Sequence, residues 1–159
     1  MATWKFDGVD DYVASLEKLE NSTREMIGEA VYEGAKVVAD AVKEAIISLP
    51  TDNRKFVKDG RKGISDQQKQ GLIDGFGIAS MRNDNGFFNV KLGFEGYNSV
   101  RTKKFPKGQP NLMIARVTES GSSFMPKFRY ISQATNNAKK QCEEAMRKTF
   151  EKNVENEMK

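Results

Sequence analysis

Among the 159 residues there is no histidine and a single cysteine, Cys142, so chemistry is left to 22 carboxylates, 26 lysines and arginines, and the hydroxyls. This inventory excludes His-based general acid–base catalysis, a Cys/His nucleophile and zinc sites built from His and Cys. Carboxylates acting alone would have to converge on one substrate atom. The adjacent pairs Asp10 with Asp11 and Glu143 with Glu144 fall in helical segments, where neighbours diverge by about 100°. Asp84, in Asn83-Asp84-Asn85-Gly86, has a fragment of a calcium loop around it but neither the other ligand positions nor the closing Glu, and reads as turn chemistry. Gly71, Gly75 and Gly77 match no phosphate-cradling spacing and read as strand glycines packed under a helix. Cys142 falls in an apolar helical stripe, a core position that asks for no reactivity. The expectation is a protein that takes no cofactor or metal, and an enzyme working through carboxylates alone stays open only if an Asp/Glu set converges in space, for which the sequence shows no pairing.

Positive charge is the remaining chemistry, and two segments concentrate it. Residues 51–71 hold six basic and three acidic groups, among them Arg54, Lys55, Lys58, Arg61 and Lys62. Residues 97–110 hold Arg101, Lys103, Lys104 and Lys107 with no acidic side chain. Clustered Lys and Arg attract phosphate or an acidic protein face. Interleaved aromatics are few, Phe56 in the first segment and Tyr97 and Phe105 in the second, which is thin for a base-stacking platform. Both segments are expected to be exposed loops that recruit a protein partner or touch passing DNA without reading its sequence. The net charge of +4 hides a polarised chain: residues 1–50 carry 5 basic and 10 acidic groups, residues 51–110 carry 12 and 6, and the rest 9 and 6.

The elements that carry these segments follow from periodicity. Val9, Tyr12, Val13, Leu16 and Leu19 lie at 3/4 spacing and predict an amphipathic helix starting through Asp7 and Gly8. Ser22-Thr23-Arg24-Glu25 has the form of a capping box that restarts or continues it. From Met26 to Leu49 the helical period holds over about six turns, until Pro50 ends it. Gly28 and Gly34 weaken that helix by roughly 1 kcal/mol each relative to Ala and are expected at close core contacts. Ile73, Gly75, Gly77 and Ala79 alternate with Asp74, Phe76, Ile78 and Ser80, and Phe88, Val90, Leu92 and Phe94 with Asn89, Lys91 and Gly93. Such alternation predicts a β-hairpin over residues 75–95, turning at Asn85-Gly86. Asn111 is placed to cap a short helix with Leu112, Met113, Ile114 and Val117 on one side and Gly121 at its end. After a turn at residues 121–126, Phe128, Ile131, Ala134, Ala138, Cys142, Ala145, Met146, Phe150 and Val154 form the stripe of a long C-terminal helix. Glu143 with Arg147 and Glu144 with Lys148 are i,i+4 pairs on its wet side. No apolar run approaches the ~20 residues of a membrane span, the N-terminus lacks a secretion signal, and one cysteine permits no disulfide within the chain. A soluble, cytosol-made single domain is expected.

The order of these elements, with Phe6-Asp7-Gly8-Val9-Asp10-Asp11-Tyr12 at the start and a long helix ending Leu49-Pro50, resembles the head–tail joining proteins of tailed bacteriophages. These are variously called neck, tail-completion or minor tail component proteins. Phe6 to Leu19, Glu29 to Pro50, Val90 to Phe94 and Ile114 to Ile131 carry the resemblance. Within the last segment Glu119, Gly121, Ser122, Pro126 and Phe128 look like the family's pattern of a helix ending in an acidic residue, a Gly-Ser/Thr, then a Pro and a Phe opening the final helix. The resemblance implies one α+β domain over residues 1–159, long N- and C-terminal helices packed on a small antiparallel sheet, with extended basic loops. It further implies a structural virion protein of a phage or prophage with no active site. Its copies would form a ring, hexameric by resemblance, at the head–tail interface. Connector or head-closure proteins and tail-tube or tail-terminator proteins would be its neighbours, DNA would pass through, and the bacterial cytoplasm would be the place of assembly.

Assembly has a physical route. An acidic N-terminal segment and a basic 51–110 segment can align head to tail, a heterologous contact that closes into a ring if the rotation per copy allows. Charge would set orientation and encounter rate, and apolar faces most of the affinity. The alternative is a small basic nucleic-acid-associated protein using Arg54, Lys55, Lys58, Arg61, Lys62 and the 101–107 loop as phosphate contacts.

Overall fold

The computed structural model describes residues 9–55 and 58–159. The expected helix start at Asp7 and Gly8, Phe6 of the resemblance, and Phe56 and Val57 of the first basic segment lie outside the described residues, as do the side chains of Val9, Tyr12 and Val13. Helix α1, Val9–Ile47, runs unbroken for 39 residues. Ser22 to Glu25 sits inside it and continues the helix: Thr23 Oγ1 donates to the Leu19 carbonyl at 2.7 Å and Arg24 pairs with Glu20 at 2.6 Å. With no Gly or Pro between Leu19 and Met26, the upstream carbonyls already satisfy the N–H groups that a capping box would serve. The helix ends as the Pro50 argument requires, with a last tightened turn through Leu49 N–H to Ile46 O.

Helix α2, Asp66–Gly75, corrects two expectations at once: residues 66–71 are not loop, and Ile73 and Gly75 are not strand. Ser65 caps it, accepting from Gln68 N–H while the Gln68 side chain accepts from Ser65 N–H. This Ser-x-x-Gln box was present in the sequence, but the short alternating run after it fits helix and strand alike. Gly71 is a helical glycine at a close approach, since a Cβ there would stand 2.5 Å from Asn111 Oδ1 and from Asn98 Cβ.

The hairpin exists and is built in two ladders. Strand β1, Phe76–Ile78, pairs antiparallel with β4, Leu92–Phe94; β2, Arg82–Asp84, pairs with β3, Phe87–Asn89. The register slips by one residue between the ladders, leaving an extra residue on the first arm. Asn85 (φ 54) and Gly86 (φ 91) make the turn, a conformation that this pair tolerates. Phe76 lies opposite Phe94, their rings 5.1 Å apart, and Ile78 opposite Leu92, so these four face the core. Gly77 opposite Gly93 makes the bare outer face.

Helix α3, Asn111–Ser120, follows, and Gly121 ends it at φ 78. Asn111 does not cap it. Pro110 holds that position, and the buried Asn111 side chain donates instead to the Glu95 carbonyl at 2.8 Å, a strand-end group that would otherwise be orphaned. Leu112 is exposed, against expectation, while Ile114, Ala115 and Thr118 are buried. Helix α4, Tyr130–Glu157, lies antiparallel along α1: Glu29 meets Asn153, and Gly34 faces Met146 and Cys142. The expected pairs of Glu143 and Glu144 are absent among the described ion pairs, and Arg147 meets Glu151 at 4.0 Å; exposed partners of this kind differ by little energy.

The fold is α+β, with long N- and C-terminal helices packed together and small antiparallel two-stranded sheets beside them. The core sits at the C-terminal half of α1, where Val42, Ile46, Ile64, Leu72 and Tyr130 meet, and full burial of each of the four aliphatic side chains stabilises by about 1.5–3 kcal/mol. Leu16 and Leu19, expected in a stripe, are exposed, because α4 ends about one turn past its contact with Glu29 and leaves the start of α1 projecting.

Candidate functional site

The first basic segment is organised by a residue that charge counting overlooked. The nearly buried Asp52 carboxylate accepts from Arg54 Nε and Nη2 at 2.8 and 2.7 Å, from the Arg54 N–H at 3.2 Å and from the Lys62 N–H at 2.9 Å. The Arg54 guanidinium, followed by the Lys62 N–H, holds this carboxyl well below the usual carboxylate range. Arg61 donates to the Asp52 carbonyl at 2.5 Å, and its N–H donates to Phe124 O at 2.7 Å. Arg61 and the exposed Arg54 are therefore used in shaping the segment, and Lys55, Lys58 and Lys62 are exposed beside them. The signal available in the sequence was Asp-x-Arg after Pro-Thr, an Asx turn.

The second basic segment is a folded finger. Its arms are joined by the Tyr97–Pro110 bridge, by Asn98 N–H to Gln109 O at 2.9 Å and by Gln109 N–H to Val100 O at 3.1 Å. Thr102 and Phe105 exchange both backbone hydrogen bonds at 3.1 Å, which places Lys103 and Lys104 at the tip. Arg101, Lys103, Lys104 and Lys107 are all exposed, with Lys104 Nζ 5.6 Å from the centre of the Phe105 ring. Gln68 donates to Gln109 Oε1 at 2.8 Å, so the finger is tied to the N-terminal end of α2, where the first segment also ends.

Glu119, Gly121, Pro126 and Phe128 form the corner between α3 and α4. The Glu119 carboxylate accepts from the N–H groups of Ile131 at 2.8 Å and Ser132 at 3.1 Å and from the Ser132 hydroxyl. Arg129, at the N-cap with φ 50, makes no side-chain cap, so Glu119 satisfies those donors in its place. At Gly121 a Cβ would stand 2.8 Å from Lys127 N, a space that only glycine leaves. Phe128 packs against the core and Pro126 is exposed in the turn.

A groove of about 940 Å³ runs between α1, the hairpin tip and the end of α4. Gly28, Tyr32, Met81 and Phe88 supply its apolar walls, Glu25, Glu29 and Glu33 line it from α1, and Lys152 and Asn153 line it from α4. The carboxylate row is legible as one helix face; the walls opposite depend on tertiary packing. The Cys142 thiol is pushed up by burial and then by Glu143, and the Tyr130 hydroxyl by burial and then by Glu119. Among the described residues no group of three or more His, Cys, Asp or Glu side chains is arranged to hold a metal ion, and no helix is long and apolar enough to cross a membrane. No protein-family model, curated protein or solved structure matches this chain.

Proposed function

We propose that this protein is a structural virion subunit of a tailed phage or prophage, forming a ring at the head–tail interface that joins the DNA-filled head to the tail and lets DNA pass. The observation that carries this reading is the α3–α4 corner, where Glu119, Gly121 and Phe128, the positions on which the resemblance rests, act as one unit: a helix stop, a cap for the next helix and a core anchor. The projecting start of α1, with Leu16 and Leu19 exposed, supports it by offering an apolar surface to a neighbour. The polarised charge supplies orientation. Connector and tail-tube proteins are the expected partners above and below the ring.

The test is native mass spectrometry and electron microscopy of the purified chain at low and moderate salt, alone and with the connector and tail-tube proteins of its phage or prophage. Rings are expected, and a chain that stays monomeric with every partner refutes the reading. Replacing Lys103, Lys104 and Lys107 with Glu is expected to impair head–tail joining while the circular dichroism and melting of the chain are unchanged. A nucleic-acid-associated protein is the second reading, favoured by the exposed Lys103-Lys104 tip. Titration of labelled duplex DNA over a salt series separates the two: the ring subunit binds weakly and without sequence preference, the alternative tightly with a steep loss as salt rises.

A further inference from the structure

The finger and the groove are complementary in charge, and one copy does not bring its own together. The finger is tied to α2, whose Lys69 donates to the Leu49 carbonyl just past the C-terminal end of α1. Glu29, midway along the groove, is about 30 Å back along the α1 axis from that point. From base to tip the finger spans six residues, about 20 Å at full extension. Its reciprocal Thr102–Phe105 hydrogen bonds hold Lys103 and Lys104 forward before any partner arrives, so little ordering is left to be done on binding. In the groove, Glu25, Glu29 and Glu33 recur at four-residue spacing, one turn apart on one face of α1. Glu33 holds Lys36 at 2.6 Å, but among the described residues Glu25 and Glu29 form no ion pair. Of the two cations lining the groove, Arg24 is paired with Glu20, which leaves Lys152 on the opposite wall. Such a surface repels phosphate and suits a prong of lysines.

Resting on the ring reading, we infer that the finger of one copy seats in the groove of the next, with Lys103 and Lys104 against Glu25 and Glu29. The contact is heterologous, so each copy gives one finger and receives one, as closure into a ring requires. The apolar walls at Tyr32, Met81 and Phe88 exclude water around the charges and strengthen their attraction.

The experiment is a charge swap read by sedimentation and native mass at about 50 mM salt, where the Debye length exceeds the separation of the paired groups. Lys103→Glu with Lys104→Glu is expected to weaken self-association by about tenfold or more, and Glu25→Lys with Glu29→Lys likewise. A chain carrying all four substitutions is expected to recover most of the lost association, because every contact then has its polarity reversed. Mixing the two separate variants is expected to recover association by the same complementation. All four side chains are exposed; circular dichroism checks folding, and Glu25→Gln with Glu29→Gln is the milder variant if the lysine pair does not fold. Wild-type association that is indifferent to these changes, or a fourfold variant that does not recover, overturns the finger-in-groove contact and leaves the ring reading standing. A wild-type chain that never associates with itself at any salt overturns the finger-in-groove contact, and one that also stays monomeric with connector and tail-tube proteins overturns both. Loss of duplex DNA binding in the finger variant with self-association intact assigns the finger to nucleic acid and also overturns the proposal.

Discussion

Glu119 caps a helix to which it does not belong. Its carboxylate reaches from the last turn of α3 to the first free N–H groups of α4, where the residue at the cap, Arg129, has no acceptor to offer. Glu119→Ala is expected to lower stability by about 1–2 kcal/mol, seen as a reduced urea midpoint at unchanged slope. Glu119→Gln, which keeps one acceptor oxygen, should lose less. Asp52 is the second residue with influence beyond its size, since its carboxylate gathers Arg54 and the Lys62 N–H around it. Its folded-state pKa lies well below the ordinary 3.8, so the ionised form is the one that folding favours. The stabilisation is therefore fully present above pH 3.8 and is lost as pH falls from there toward the depressed value. The stability difference between wild type and Asp52→Asn should be constant near neutral pH and shrink on acidification below that point, as measured by urea unfolding at each pH.

Two helical glycines of α1 look alike in sequence and differ in what stands over them. A Cβ at Gly34 would lie 2.5 Å from Met146 Cγ and 3.0 Å from Cys142 Sγ, inside the α1–α4 contact. At Gly28 it would meet chiefly the Met81 methyl group at 2.8 Å, the end of a flexible side chain on the exposed hairpin tip. Each change to Ala gains about 1 kcal/mol of helix propensity. Gly34→Ala is nevertheless expected to destabilise by about 1–3 kcal/mol through overpacking, with Met146→Ala relieving the clash in the double variant. Gly28→Ala is expected to be neutral or stabilising, since Met81 can swing away. Thermal unfolding of the three variants decides this. The same comparison explains why elements were legible to different degrees. Long stripes such as Met26 to Ile46 repeat the helical period often enough to outweigh local ambiguity, whereas ten residues of α2 do not, and its capping box was the better guide.

At the scale of the molecule, charge separated along the chain becomes charge separated in space. Helix α1 carries nine carboxylates against four cations, and the finger tied to α2 carries four cations and no carboxylate. A contact between copies made through these surfaces is steered by charge, so raising salt from about 50 to 500 mM should slow association more than it speeds dissociation. Stopped-flow mixing of labelled chains measures both rates; an association rate independent of salt would exclude a contact of this kind. The core lies toward the end of α1 away from the groove, and the finger tip is exposed, so substitutions at either place are expected to alter association without altering the melting of the chain.

Local pattern was enough to read the two long helices, the hairpin and its Asn85-Gly86 turn, the helix stop at Gly121 and the absence of histidine chemistry. These depend on neighbours within a few positions, through helical period, strand alternation and backbone freedom. Which charges are spent and which project outward follows from long-range packing instead. Arg54 and Arg61 count as cations in any composition but are bound into the Asp52 turn, while Lys103 and Lys104 are held outward by hydrogen bonds between the arms of the finger. The groove likewise needed α1, the hairpin tip and the end of α4 to meet, residues far apart in the chain whose proximity is set by packing and not by any local pattern.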